Sequence, residues 1–203
     1  MSAAPATSPR RHELLELAYA YVLERGVSDL SLRPLAAAIG SSPRVLLFLF
    51  GSKAELVQAL LARAREDELE LLSRARATSG AEGGDLLAVA ADLWSWLSAE
   101  ERRGLLTLWV EGYARSLIDP DGPWGGFAAA TVADWLEVLT AAAEAPGAGA
   151  DAGAGGSAAG EVEPTLVLAV LRGALLDLLA TGEVERTTGA VNRQLALLRG
   201  DPA

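Results

Sequence analysis

The stretch GSSPRVLLFLFGSKAEL, Gly40–Leu56, decides the fold, because it sets a very short helix between two helix-start signals. The Ser42 hydroxyl can accept an orphan amide of a first turn, and Pro43 fits the first helical position without needing a donor. Ser52 followed by Glu55 is a capping box, so another helix opens at once and runs through about Arg76. What lies between, Pro43 to Phe50, falls short of the roughly three turns of an ordinary core helix. Its residues Val-Leu-Leu-Phe-Leu-Phe are nevertheless apolar throughout.

Outward from this point the chain reads as helices. Toward the N-terminus, Leu14, Leu17, Ala18, Tyr21 and Val22 follow the spacing of one apolar helix face, and Gly26 stands where a left-handed cap would end that helix. Ser31 caps a short second helix with Leu32, Leu35, Ala36 and Ile39 facing inward, and Gly40 stops it. Toward the C-terminus, Leu56, Val57, Leu60, Leu61 and Ala64 give the fourth helix its buried face, while RAREDELELLSRAR covers the rest with mixed charge.

After the break TSGAEGGD, helices are expected over about 85–100, 102–118 and 124–145, then over 163–181 and 184–199. The Gly/Ala-rich segment at 146–160 has no side chains to pack and reads as a flexible loop. No alternating strand bounded by turn residues is visible, so the class is all-α.

Composition narrows the chemistry. With no cysteine, one histidine and one lysine, the chain excludes disulfide scaffolds, thiol catalysis and cysteine zinc sites, and a reducing cytoplasm fits. MSAAPATSPRRHE lacks the apolar centre of a signal peptide, and no uninterrupted apolar run approaches the roughly 20 residues that cross a bilayer, so no membrane partner is expected. The net charge of -10 is unevenly spread: residues 1–66 carry eight Lys or Arg against six acids, or +2, leaving nine against twenty-one, or -12, for the remainder. Only the N-terminal segment suits a polyanion.

Three short helices, the second and third joined by a tight glycine-containing turn and followed by Gly-Ser-Lys and a long fourth helix, resemble the TetR family of transcriptional regulators. The resemblance covers about residues 11–62: a helix ending in Glu-Arg-Gly, Ser31 before the next, Leu-Ala-x-x-x-Gly before the turn, and Phe-x-Ser-Lys after it. Beyond residue 62 it lies in helix count and order.

It implies a DNA-binding helix-turn-helix at 10–55 behind a disordered arm at 1–9, and a ligand-binding and dimerisation domain at 56–203. It also implies a homodimer that binds a palindromic double-stranded operator, with half-sites about one helical turn apart. A small apolar or aromatic effector would release a repressor of this kind.

In family members the turn and recognition helix commonly read Gly-Val-Ser-x-x-x-Leu-Tyr-x-His-Phe. The inward anchors are present here as Leu46 and Phe50, but Leu47, Phe48 and Leu49 stand where the phosphate-reaching Tyr and His are expected.

Candidate DNA contacts are therefore Ser31, Arg33, Ser41, Ser42, Pro43, Arg44, Val45, Leu47, Phe48 and Lys53. Arg44 can reach guanine O6 and N7 together, and Val45 can meet a thymine methyl. Lys53 and the helix-start amides near Ser31 and Ser42 suit phosphates. Arg10 and Arg11 form either an arm on the DNA backbone or a solvated terminus.

For the apolar third helix three readings stand: a buried core element, a surface for DNA methyls and sugars, or a surface for a protein partner. The last supports a different function, a helical protein-interaction dimer with a degenerate helix-turn-helix.

All five tryptophans fall between 94 and 135. Trp94, Trp109, Tyr113, Phe127 and Trp135 can be core filler or the aromatic wall of an effector pocket, with Glu111, one turn from Arg115, orienting a polar group. Leu168, Leu171, Leu175, Leu195 and Leu198 serve either an intrachain core or the four-helix dimer interface that the resemblance implies. Catalytic residues, metal ligands and cofactors are not expected. His12 is the only histidine, the adjacent acids Glu100 and Glu101 point to different helix faces, and no glycine-rich phosphate loop follows a strand.

Overall fold

The computed structural model describes residues 8–27, 30–82, 85–144 and 163–200, and among these it is all-α with no strand. The helices are α1 (Pro9–Arg25), α2 (Leu32–Ala38), α3 (Pro43–Phe50), α4 (Lys53–Glu82), α5 (Leu86–Leu97), α6 (Arg103–Ile118), α7 (Phe127–Ala143), α8 (Pro164–Thr181) and α9 (Val184–Arg199). A 3-10 turn, Glu100–Arg102, leads into α6. The expected loop at 146–160, and residues 1–7 of the expected arm, lie outside the described residues.

The chain forms two compact units. One comprises residues 1–67 and 104–128, the other 68–103 and 129–203, so α4 contributes to both. In the first unit, Leu14, Ala18 and Val22 of α1, Leu35 and Ala36 of α2, Leu46 and Phe50 of α3, and Leu56, Leu60 and Ala64 of α4 are buried. Gly104 of α6 also belongs here: a Cβ on it would collide with the Leu23 carbonyl of α1.

Several sequence expectations change in this unit. Leu17 is 43% exposed and Tyr21 half-buried beneath the Arg25 guanidinium, while Tyr19 is buried instead. The α1 face turns toward Tyr19 because its hydroxyl donates to Asp67 Oδ2 on α4 at 2.7 Å, a partner that apolar periodicity cannot reveal.

Arg10 and Arg11 are not an arm. Ser8 and Pro9 repeat the Ser-Pro start of α3, Ser8 Oγ accepts from the Arg11 amide, and α1 begins before both arginines. Arg10 pairs with Glu13 at 2.8 Å, and Arg11 lies 4.8 Å from the centroid of the Phe50 ring. Helix α4 also runs past Arg76 to Glu82, through Thr78, Ser79 and Gly80, which had read as a break.

The second unit packs α5 against α8 and α9. Val167, Leu168, Leu171, Leu175 and Leu178 of α8 are buried with Leu93, Trp94 and Leu97 of α5 and with Val191 and Leu195 of α9. This corrects the dimer-face assignment: Leu168, Leu171, Leu175 and Leu195 serve the chain's own core, and Leu198 is half-buried. Because α8 is apolar nearly all round, periodicity could not choose the stripe. Its exposed stripe is Leu166, Ala169, Gly173 and Leu176.

The most apolar long helix, α8, is interrupted by charge, as the reading of apolar runs expects. At 18 residues and a mean hydropathy of 1.6, α8 is long and apolar enough to cross a bilayer by length and composition. It carries Arg172 and Asp177 within that length.

Candidate nucleic-acid interface

Helices α2 and α3 meet at 101°, a helix-turn-helix angle. The turn is closed by the Ser41 amide donating to the Ala36 carbonyl at 2.8 Å. Ser42 caps α3 as expected, its Oγ accepting from the Val45 amide at 3.3 Å. Ser31 occupies the cap position of α2 with extended backbone, but its side chain makes no cap hydrogen bond.

At the far end of α3, Gly51 takes φ 85 and donates to the Leu47 carbonyl at 2.9 Å. A side chain there would be strained by the left-handed backbone, so glycine is required by conformation, and the Glu55 carboxylate lies close beside it. Ser52 Oγ then accepts from the Glu55 amide at 3.1 Å and starts α4.

These caps fix how α3 is rolled. Leu46 is fully buried and Phe50 nearly so, which locks the inner face. The outer face carries Arg44 together with Val45 at 38%, Leu47 at 42% and Phe48 at 81% exposure, and Leu49 is half-buried at its edge. Beside it lies a groove of about 760 Å³ lined by Leu30, Ser31, Leu32, Arg33, Pro34, Pro43 and Lys53.

The expected DNA contacts thus fall into two sets. Ser31, Arg33, Pro43 and Lys53 line the groove; Arg44, Val45, Leu47 and Phe48 stand on the outer face of α3. The Ser41 hydroxyl oxygen is turned out of solvent without a hydrogen-bond partner among the described residues, and that of Ser42 is occupied by its cap. From Leu30 to Ala54 the chain carries Arg33, Arg44 and Lys53 and no carboxylate. All three cations are exposed, and none is held in an ion pair among the described residues.

A polar cluster behind this surface was not anticipated. Arg63 Nε donates to Glu16 at 2.9 Å, Arg63 also pairs with Asp67 at 2.5 Å, and its guanidinium lies 4.9 Å from the Tyr19 ring centroid. Burial pushes the Tyr19 phenol well above its ordinary range, and the hydrogen bond to Asp67 adds to that. Burial opposes the charge of Arg63, yet hydrogen bonds to Asp67 and Glu16 raise its pKa overall. The Arg63–Asp67 spacing of four was a readable signal; the partners on α1 were not.

The expected effector residues divide between the two units. Trp109, Glu111, Tyr113 and Phe127 belong to the first, Trp94 and Trp135 to the second. In the first, Trp109 Nε1 donates to the Ala64 carbonyl at 3.4 Å, and Gly112 leaves space for the rings of Trp124 and Phe127. Glu111 Oε2 accepts from the Val27 amide at 3.1 Å, while its Oε1 is buried without a hydrogen-bond partner among the described residues.

In the second unit, Trp94 Nε1 donates to Thr188 at 3.1 Å, and Trp135 Nε1 donates to Glu68 at 2.6 Å. Glu68 is fully buried and also accepts from Thr131 Oγ1 at 3.5 Å. It follows Asp67 directly in α4, so two consecutive carboxylates serve α1 in one unit and α7 in the other. A glutamate inside the mixed-charge run RAREDELE gave no sign of this in the sequence.

No protein-family model and no curated protein matches this sequence. Solved structures do match it in fold. A protein from Rhodococcus sp., described as a candidate TetR-family transcriptional regulator, superposes with a TM-score of 0.68 at 19% identity, covering 94% of this chain and 99% of its own. The multidrug-binding protein EbrR, complexed with imidazole, superposes with a TM-score of 0.58 at 20% identity, covering 95% and 96%. At such identities the likeness establishes a shared all-helical fold along nearly the whole chain.

Proposed function

We propose that this chain is a TetR-type, ligand-responsive transcriptional regulator, a repressor that binds a palindromic operator as a homodimer in the cytoplasm. The observation that carries the reading is the helix-turn-helix surface itself: α3 locked by Leu46 and Phe50, its outer face open, and Arg33, Arg44 and Lys53 exposed and uncontested by any acid from Leu30 to Ala54. In this reading Arg44 contacts a guanine, while Arg33, Lys53 and the groove beside them hold phosphates and set register.

For the homodimer, the exposed Leu166, Ala169, Gly173 and Leu176 stripe of α8 offers an apolar, closely approachable face. For the effector, the likeness to a multidrug-binding protein supports a small apolar or aromatic molecule lodged beside Trp109, Trp124 and Phe127 of the first unit. The leftover oxygen of Glu111 would take a polar group on it. A coupling of about 1–3 kcal/mol between effector and DNA would suffice for regulation.

Mobility-shift titrations on the promoters of its own and neighbouring genes, across a salt series, test the reading. A sequence-selective complex that weakens steeply with salt is expected. Arg44→Ala should lose about 1–3 kcal/mol of selectivity, whereas Lys53→Ala should weaken specific and random DNA alike. Equal loss for both variants on both DNAs would remove Arg44 as a reader, and absence of any selective complex would sink the repressor. Effector binding is read by quenching of tryptophan emission.

The exposed Phe48 favours one alternative, an interaction module whose α3 binds a protein. That reading expects a protein complex sensitive to Phe48→Ser and indifferent to salt.

A further inference from the structure

The outer face of α3 is chemically unusual for a surface that reads DNA. Of Arg44, Val45, Leu47 and Phe48, only Arg44 bears a hydrogen-bonding side chain, and Phe48 is 81% exposed. Val45 and Phe48 are one turn apart, as are Arg44 and Leu47, so the four share one side of the helix. Hydrogen bonding through side chains is confined to a single residue there, and the Ser41 and Ser42 oxygens that could have added to it are turned inward or occupied by the cap.

In the major groove every base presents hydrogen-bonding groups, but thymine alone adds an apolar group, its C5 methyl. An apolar helix face in that groove has one base feature to match. The border of the face suits duplex DNA rather than an apolar protein surface, because three exposed cations and no carboxylate lie within Leu30–Ala54.

We propose that α3 reads its sites chiefly through thymine methyl groups. Phe48 and Val45 pack against C5 methyls of successive base pairs beside the base held by Arg44, and Leu47 excludes water at the edge. The proposal rests on the DNA-binding reading above and deepens it by naming what the helix recognises. It places thymines, not merely a guanine, at the centre of each half-site.

Thymine-to-uracil exchange isolates the methyl, since it leaves pairing, phosphates and every groove donor and acceptor in place. The full chain would first select sites from a random duplex pool, and the recovered duplex would then be remade with deoxyuridine for thymidine in each half-site. Loss of one buried methyl is expected to weaken binding roughly fourfold, and loss of two about 15-fold. The salt slope should not change, because the phosphate contacts do not.

Phe48→Ser should bring the thymine-to-uracil ratio toward one. The side chain lies in solvent, and unchanged circular dichroism and melting would show that the fold is kept. Equal affinity for the thymine and uracil duplexes in an otherwise selective complex overturns the methyl reading while leaving the DNA-binding reading intact. Recovery of no selective duplex overturns both.

Discussion

Helices α3 and α8 are both apolar nearly all round, and each spends only part of that surface on its own unit's core. Helix α3, with eight residues, buries Leu46 and Phe50 and leaves Val45, Leu47 and Phe48 in solvent. Helix α8, with eighteen, buries Val167, Leu168, Leu171, Leu175 and Leu178 and leaves Leu166 and Leu176 out. A helix that carries more apolar surface than its neighbours cover has surface left for another molecule. The two differ at the border: three cations and no acid lie between Leu30 and Ala54 around α3, whereas charge is mixed around α8 where Asp177, Glu183 and Arg186 cluster. That contrast assigns the spare surface of α3 to DNA and that of α8 to a second copy in the function proposed here.

The largest test of this division replaces the inner stripes. Leu46→Ala and Leu171→Ala should each cost about 2–5 kcal/mol of stability, because both side chains are removed from closed cores. The outer-stripe changes Phe48→Ser and Leu176→Ser should stay within about 0.5 kcal/mol in the same urea titrations. If an outer change costs as much as an inner one, that stripe already has a partner within the chain and the comparison fails.

A middle-sized effect separates the two outer stripes. Leu176→Glu should shift the monomer–dimer balance toward monomer in sedimentation at micromolar protein while leaving helicity and melting of the dilute chain unchanged. Phe48→Ser should leave that balance alone. A dimer indifferent to Leu176→Glu would place the interface elsewhere than the α8 stripe.

How far these stripes were legible differs in a way that physics explains. Helix starts and stops depend on residues next to one another, so Ser42-Pro43, Gly51, Ser52 and Glu55 could be read directly and stand as expected. The α3 anchors were legible only through the family resemblance, since every residue from Val45 to Phe50 is apolar and spacing alone does not choose the inward pair. Which stripe of α8 faces inward was not, because every stripe is apolar and the choice lies with α5 and α9. The same holds for polar burial: Tyr19 displaced Leu17 from the α1 face, and Glu68 is buried, because of partners on α4 and α7 far away in sequence. The Ser8-Pro9 start of α1 is legible too, and it places Arg10 and Arg11 in a helix, where either an arm or a solvated terminus was expected.

The smallest effect concerns the charged end of α8 and gives the comparison a pH signature. Asp177 accepts two hydrogen bonds from Arg186, each 2.7 Å long, and these hold its carboxyl below the ordinary aspartate value of 3.8. Since its pKa is lower folded than unfolded, its contribution to stability is present above that ordinary value and is lost as pH falls below it. The pair is exposed, so the effect is slight. The wild-type protein should lose a little stability between neutral pH and pH of about 3 that Asp177→Asn does not lose, read as converging melting curves at the acid end. The eight residues of α3 include no carboxylate, so its spare face should show no corresponding acid step. A Phe48→Ser stability difference that itself varied over that window would mean a carboxylate sits on the α3 face, contrary to the acid-free stretch from Leu30 to Ala54.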